Sequence, residues 1–142
     1  MDMDVHRSID SITVGDELEP ISIPVTLQRL VMEAGANRDF SLIHHDRDVA
    51  RATGAPDAYM NTFFIAGMFE RLLREWMGPN GRIRKITNLR MQVFNSVGDT
   101  AVFKGRVESI DEATNSVSIS LSSETENGVT VTAEATVILP GS

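Results

Sequence analysis

"NTFFIAGMFERLLREWM", residues 61–77, sets the plan of the chain. Asn61 or Thr62 can cap a helix through a side-chain oxygen. Residues 63–69 are apolar on every side, a pattern that predicts a helix surrounded by protein. Gly67 inside that run reads as a close-packing position. Glu70, Arg71, Arg74 and Glu75 then carry the helix into solvent, and Trp76 with Met77 is expected to pack at its end. Gly78-Pro79-Asn80-Gly81 stops it.

After residue 81 the apolar period changes from helical spacing to two. Residues 83–94, 100–111, 116–124 and 129–139 alternate like strands, separated by turn signals at 95–99, 111–115 and Asn127-Gly128. "SVSIS" and "TVTAEATVIL" show the alternation of antiparallel strands with one solvated face. Such a sheet must cover its apolar face, and the only long apolar helix is 62–77. The expected fold is α+β: one domain over residues 1–142, its antiparallel sheet wrapped around helix 62–77.

Upstream, "ISIPV" (21–25) reads as a short strand, which Pro24 confines to an edge or a strand end. Thr26 can cap a helix in which Leu27, Leu30, Val31 and Ala34 share a face, with Gly35 as its stop. Residues 46–54 suggest a short helix capped by Asp46, with Val49, Ala50 and Ala52 packing and Gly54 at its end.

The 142 residues are 42% hydrophobic and 23% charged, as in an ordinary soluble domain. There is no cysteine, which excludes disulfides, thiolate metal sites and cysteine nucleophiles. A formal net charge of −7 argues against nucleic-acid binding. The start, "MDMDVHRSID", lacks the basic and apolar parts of a signal peptide, and no apolar run approaches a membrane span. A cytoplasmic protein without membrane contact is the expectation.

"NRDFSLIHHDRD" (37–48) holds two of the three histidines. His44 can pair with Asp48 along a helix, as an ordinary helix-terminal ion pair. A metal site would need three or four convergent ligands, and the remaining histidine is His6, far away in the chain. Acid/base chemistry would need Asp39 and His44 to converge on one water. Five apart on an ideal helix, they would point about 140° from each other, so the chain must bend between them. Phe40, Leu42 and Ile43 would then form a low-dielectric wall that keeps the carboxylate near its working range.

Asp39-Phe40-Ser41-Leu42-Ile43-His44-His45-Asp46, with Ala50 following, resembles a motif of the MaoC-like hydratases and dehydratases, which have a hot-dog fold. That motif is Asp-x-Asn-Pro-(Ile/Leu)-His-x-Asp with a later Ala. Asp39, Ile43, His44, Asp46 and Ala50 match; Ser41 and Leu42 replace Asn-Pro, and Arg38 stands where Gly is usual. The resemblance extends over most of the chain, including the Gly98-Asp99 turn. "RDF", "IHHDRD" and Trp76 before Gly78-Pro79 further resemble the small subunit of actinobacterial steroid side-chain enoyl-CoA hydratases, which also lacks Asn-Pro.

The resemblance implies an enoyl-CoA hydratase, a lyase adding water to a trans-2-enoyl thioester without metal or redox cofactor. Asp39 and His44 would hold the water, with Asp39 as base. The Thr62 N–H, at a pair Asn61-Thr62 that aligns with His-Gly of the family, would serve the thioester oxygen; an alignment on Ala66-Gly67 is the rival. Ser41 and Asn61 become substrate-positioning candidates. His45 reads as structural or solvent-exposed. Arg82, Arg84, Lys85 and Arg90 are candidates for coenzyme A phosphates or a solvated strand face, with Arg82, Arg84 and Arg90 expected on one face. The family also implies a homodimer or a heteromer with another MaoC-like chain. The competing functions are a hot-dog thioesterase, which usually carries its carboxylate on the central helix, and a non-catalytic acyl-CoA-binding subunit.

Overall fold

A computed structural model describes residues 5–141, so the first four residues of the acidic N-terminus lie outside the described residues. The elements are β1 (Ile21–Pro24), α1 (Leu27–Ala36), α2 (Arg47–Ala52), α3 (Thr62–Met77), β2 (Arg82–Met91), β3 (Thr100–Asp111), β4 (Ser116–Thr125) and β5 (Gly128–Ile138). All pairings are antiparallel, in the order β1-β3-β4-β5-β2. The chain thus has the α+β architecture expected, with α3 against the sheet. Pro24 ends β1 at one edge, where its missing N–H interrupts no ladder.

The inner sheet face presents Ala101, Phe103, Val107, Val117, Ile119, Leu121, Val131, Ala133, Ala135 and Val137. These pack on Ile65, Met68, Phe69, Leu72, Leu73 and Trp76 of α3 in one continuous core. Phe69 meets Phe103 edge-on at 5.4 Å, both fully enclosed. Burying a ring of this size stabilises the fold by about 1.5–3 kcal/mol. Trp76 and Met77 pack as expected, and the Arg7 guanidinium lies 5.2 Å above the Trp76 ring. Gly78 ends α3 with φ +76, and a Cβ there would strike the Val5 carbonyl oxygen at 1.8 Å.

Several local expectations change. Helix α3 is not surrounded by its own chain. The sheet covers one side only, so Phe63, Gly67, Glu70, Arg71 and Arg74 face away from it. A Cβ on Gly67 would meet nothing within 4 Å, so Gly67 serves no close packing within the described residues. Val31 and Ala52 are exposed for the same reason: their short helices bury a narrow stripe, Leu30 with Ala34 and Ala50. Strand β2 ends at Met91 because Gln92 and Val93 both turn their N–H groups to the Thr130 carbonyl. Register shifts between Ile83 and Lys85, and between Thr87 and Arg90, alter the β2 faces. Ile83 and Ile86 pair with the enclosed Val137 and Ala135, while Arg82, Lys85 and Arg90 pair with Ile138, Thr136 and Thr132 on the outer face. Lys85 therefore takes the place expected of Arg84, because a bulge breaks strict alternation. No helix among the described residues is long and apolar enough to cross a membrane.

Candidate active site

The site begins where α1 ends, and Gly35 is not the stop. The helix runs to Ala36 and closes in a Schellman turn: Asp39 N–H donates to the Ala34 carbonyl at 2.8 Å and Arg38 N–H to the Gly35 carbonyl at 3.2 Å. Arg38 takes the left-handed conformation, φ 56°, that glycine usually fills. This reversal turns the chain at Asp39. Asp39 Oδ1 then accepts the Ser41 N–H at 3.1 Å, and a 3-10 turn over Leu42–His44 completes the bend.

The bend brings His44 Nε2 to 3.3 Å from Asp39 Oδ2. His44 is enclosed, 7% exposed, and meets the Tyr59 ring edge-on at 5.3 Å; Tyr59 in turn packs on Phe94. His44 Nδ1 lies 2.8 Å from the Tyr59 carbonyl oxygen, which can only accept, so Nδ1 carries the proton. Nε2 then faces Asp39 Oδ2, and it donates to that carboxylate only when the ring carries a proton there as well. The ion pair with Asp48 does not form, because Asp46 caps α2 and aims Asp48 outward toward Arg51.

Asn61 joins this pair to α3. Its Oδ1 accepts the Phe64 N–H at 2.7 Å as the helix cap, and its Nδ2 donates to Asp39 Oδ2 at 3.2 Å. The Ile65 N–H bonds to the Asn61 carbonyl. Among the described residues the Thr62 and Phe63 N–H groups carry no hydrogen bond, and they open at the positive end of α3. Asp57 supports the segment leading to Tyr59. It accepts Arg47 at 2.8 and 2.7 Å, Arg51 at 3.3 Å and the Ala58 N–H at 2.8 Å. The Arg47 contact holds its carboxyl at about 2.

Two expectations about the surroundings change. The apolar wall does not close over the carboxylate: Phe40 is 77% and Leu42 51% exposed, and only Ile43 is half-buried. Asp39 accordingly keeps a side chain 25% exposed, and the Ser41 N–H holds its carboxyl below the usual carboxylate range. Ser41 therefore meets Asp39 through its backbone. His45 is half-buried beside the pair. None of Arg82, Arg84, Lys85 and Arg90 shares a hydrogen bond or ion pair with Asp39 or His44 among the described residues. No group of three His, Asp or Glu residues among them converges as metal ligands. The carbonyl of Tyr59 was illegible in the sequence, as main-chain acceptors are. Glu33, which borders the site from α1, carried a faint signal as an acidic residue beside the helix's apolar stripe.

No family model matches the chain. A curated relative, the 3-oxo-4,17-pregnadiene-20-carboxyl-CoA hydratase beta subunit of Mycobacterium tuberculosis, is 34% identical over 105 residues, 74% of this chain and 81% of the relative. The chain belongs to the MaoC-like hydratase family. Among solved structures, this MaoC-like chain matches one in the ChsH1-ChsH2 complex from Mycobacterium tuberculosis, with 30% identity and a TM-score of 0.84. That match covers 89% of this chain and 98% of the other. The (R)-hydratase from A. caviae involved in PHA biosynthesis shares the fold at 23% identity, a TM-score of 0.83, and coverage of 92% and 98%. The hot-dog architecture of this MaoC-like protein is thereby shown.

Proposed function

We propose that this chain is the catalytic MaoC-like subunit of a cytoplasmic enoyl-CoA hydratase, with Asp39 and His44 activating the water. The observation that carries this reading is the placement of two acceptors, Asp39 Oδ2 and His44 Nε2, 3.3 Å apart at the free N-terminus of α3. A water at this pair would donate one hydrogen to Asp39 Oδ2 and lie within reach of His44 Nε2. Tyr59 fixes the imidazole tautomer this requires, and Ser41 keeps Asp39 ionised.

In the proposed reaction the water oxygen bonds to the β-carbon of the enoyl thioester, and its proton passes to Asp39. The double-bond electrons move to the thioester oxygen, where the Thr62 N–H and the helix end meet the developing enolate. His44 orients the water and helps pass a proton to the α-carbon, restoring the thioester as a 3-hydroxyacyl-CoA. An acyl chain over Phe40, Leu42 and Phe63 would strip solvent from Asp39 and raise its basicity at the moment of attack. No metal or redox cofactor takes part.

The bulky steroid side-chain thioester named for the mycobacterial relative supports a steroid acyl-CoA as the substrate. Exposed Phe40, Leu42 and Phe63 beside the dyad, and the likeness to a chain of a two-protein complex, support assembly with a second MaoC-like chain. Outward-facing Arg82, Lys85 and Arg90 on edge strand β2 are the proposed contacts to coenzyme A phosphates, with Arg84 in the adjoining bulge. The thioesterase reading is weaker because residues 62–69 of α3 contain no carboxylate.

Asp39→Asn and His44→Ala should each lower hydration by about 10³–10⁴-fold while circular dichroism stays native. The assay follows enoyl-thioester absorbance on a panel of steroid and fatty enoyl-CoAs, with and without a co-purified MaoC-like partner. Wild-type rates in both variants would overturn the assignment.

A further inference from the structure

Among the described residues, Ser123 of β4 and Thr130 of β5 are the only polar side chains that the strands enclose. Asn95, in the loop between β2 and β3, is equally enclosed and joins them. Their bonds run in one direction. The Thr130 hydroxyl donates to the Ser123 carbonyl at 3.1 Å, so the Ser123 hydroxyl donates to Thr130 Oγ1 at 2.6 Å. Ser123 Oγ is left to accept the Asn95 amide, at 3.4 Å the longest of the three bonds. Polar groups are costly to enclose, and an apolar trio would fill this place without loss of stability. What the polar trio adds is direction, because a hydrogen bond fixes an orientation that apolar contact leaves loose. The loop it anchors reaches the candidate site. The Asn95 carbonyl accepts the Met60 N–H at 3.0 Å and the Val97 N–H donates to the Ala58 carbonyl at 2.9 Å, pairing Ser96 with Tyr59 in an isolated bridge. These bonds use the groups on either side of Tyr59 and leave its own carbonyl for His44 Nδ1, 2.8 Å away.

We propose that Asn95 is a positioning residue for the reaction, its amide tied to β4 and β5 and its carbonyl holding the Tyr59 segment where it sets the His44 tautomer. This rests on the hydratase reading and deepens it. Asn95 does not touch the reacting atoms; it acts through Met60 and Tyr59. The dyad lies outside the sheet, between α1 and α2, and the hydrogen-bonded route from the sheet to His44 passes through this loop. With the anchor removed, the Tyr59 carbonyl is free to turn away and the ring to carry its proton on Nε2 instead. Such a ring would donate to Asp39 Oδ2 and close the pair to water.

Asn95→Leu removes the amide and keeps a branched side chain, and Ser123→Ala removes the acceptor while Asn95 stays. Both should keep native circular dichroism. In each, kcat should fall about tenfold with KM unchanged in the hydration assay, on the scale of a misplaced catalytic group. Nitrogen NMR of the His44 imidazole gives a readout that a purely structural role would not move. The neutral wild-type ring should carry its proton on Nδ1, and both variants should show a mixture of tautomers. Wild-type kcat in the folded variants would overturn the proposal, as would a loss of kcat with the tautomer unchanged. A third measurement needs no variant: in the wild-type chain the Met60 and Val97 amides should exchange only when the core opens. Fast exchange at either would overturn the proposal even if neither variant folded. If Asp39→Asn hydrated normally, the hydratase reading would fail instead, and the imidazole spectrum would still decide the link from Asn95 to Tyr59.

Discussion

Phe63 and Phe69 lie on the same helix and meet opposite surroundings. Phe69 is sealed against Phe103 beneath the sheet, whereas Phe63 is 64% exposed two residues past Asn61, whose amide bonds to Asp39. Helix α3 thus sends Ile65, Phe69 and Leu73 into the core, while Phe63 in its first turn leaves apolar surface open at the end where the candidate chemistry lies. The difference teaches that one helix can divide its apolar residues between folding and binding, and that apolarity alone does not say which.

The sharpest way to break this comparison is to truncate both rings. Phe69→Ala should lower the unfolding free energy by about 3–5 kcal/mol, read from urea denaturation, through lost transfer energy and the cavity left behind. Phe63→Ala should change it by less than about 0.5 kcal/mol and should instead raise KM for long acyl chains or weaken association with a partner chain. A comparable stability loss in both variants would mean that Phe63 is packed after all.

A smaller effect tests how the open region is held. Asp57, gripped by Arg47 and Arg51, should behave as the polar staple of the segment carrying Tyr59. Asp57→Asn should cost about 2 kcal/mol at neutral pH and speed amide exchange over residues 58–60, leaving the far half of α3 protected. The sign follows from the lowered carboxyl, about 2 against an ordinary 3.8. The stabilisation is present above pH 3.8 and is lost as pH falls toward 2, so the variant and the wild type should converge in stability there. A difference that persisted at that pH would assign the effect to something other than the ion pairs.

The smallest effect concerns the reversal before Asp39. Arg38 occupies a left-handed conformation, so Arg38→Gly should raise stability by about 0.5–1 kcal/mol with the site unchanged. A loss of stability would show that the Arg38 side chain holds the turn in a way the backbone bonds do not require.

Much of the fold was legible locally. The caps Thr26, Asp46 and Asn61, the end of α3 at Gly78, the strand pattern after residue 81 and the edge position of Pro24 all follow from side chains acting within a few residues of themselves. Features set by several segments at once were not legible. The β2 bulges and the open flank of α3 depend on which surfaces the sheet reaches, and the reversal at Arg38 rather than Gly35 is set by main-chain bonds that no side chain displays.

The candidate site divides the same way. The motif of residues 39–46 named Asp39 and His44, because an Asp, a His and a capping Asp46 are chemical identities a sequence displays. Their meeting at 3.3 Å, the tautomer imposed by the Tyr59 carbonyl, the Asn61 bridge and the enclosed Glu33 oxygen were decided by tertiary structure. The physical reason is that side-chain identity and capping are local, whereas orientation, burial and main-chain acceptors arise only when α1, the 3-10 turn and the start of α3 come together in space.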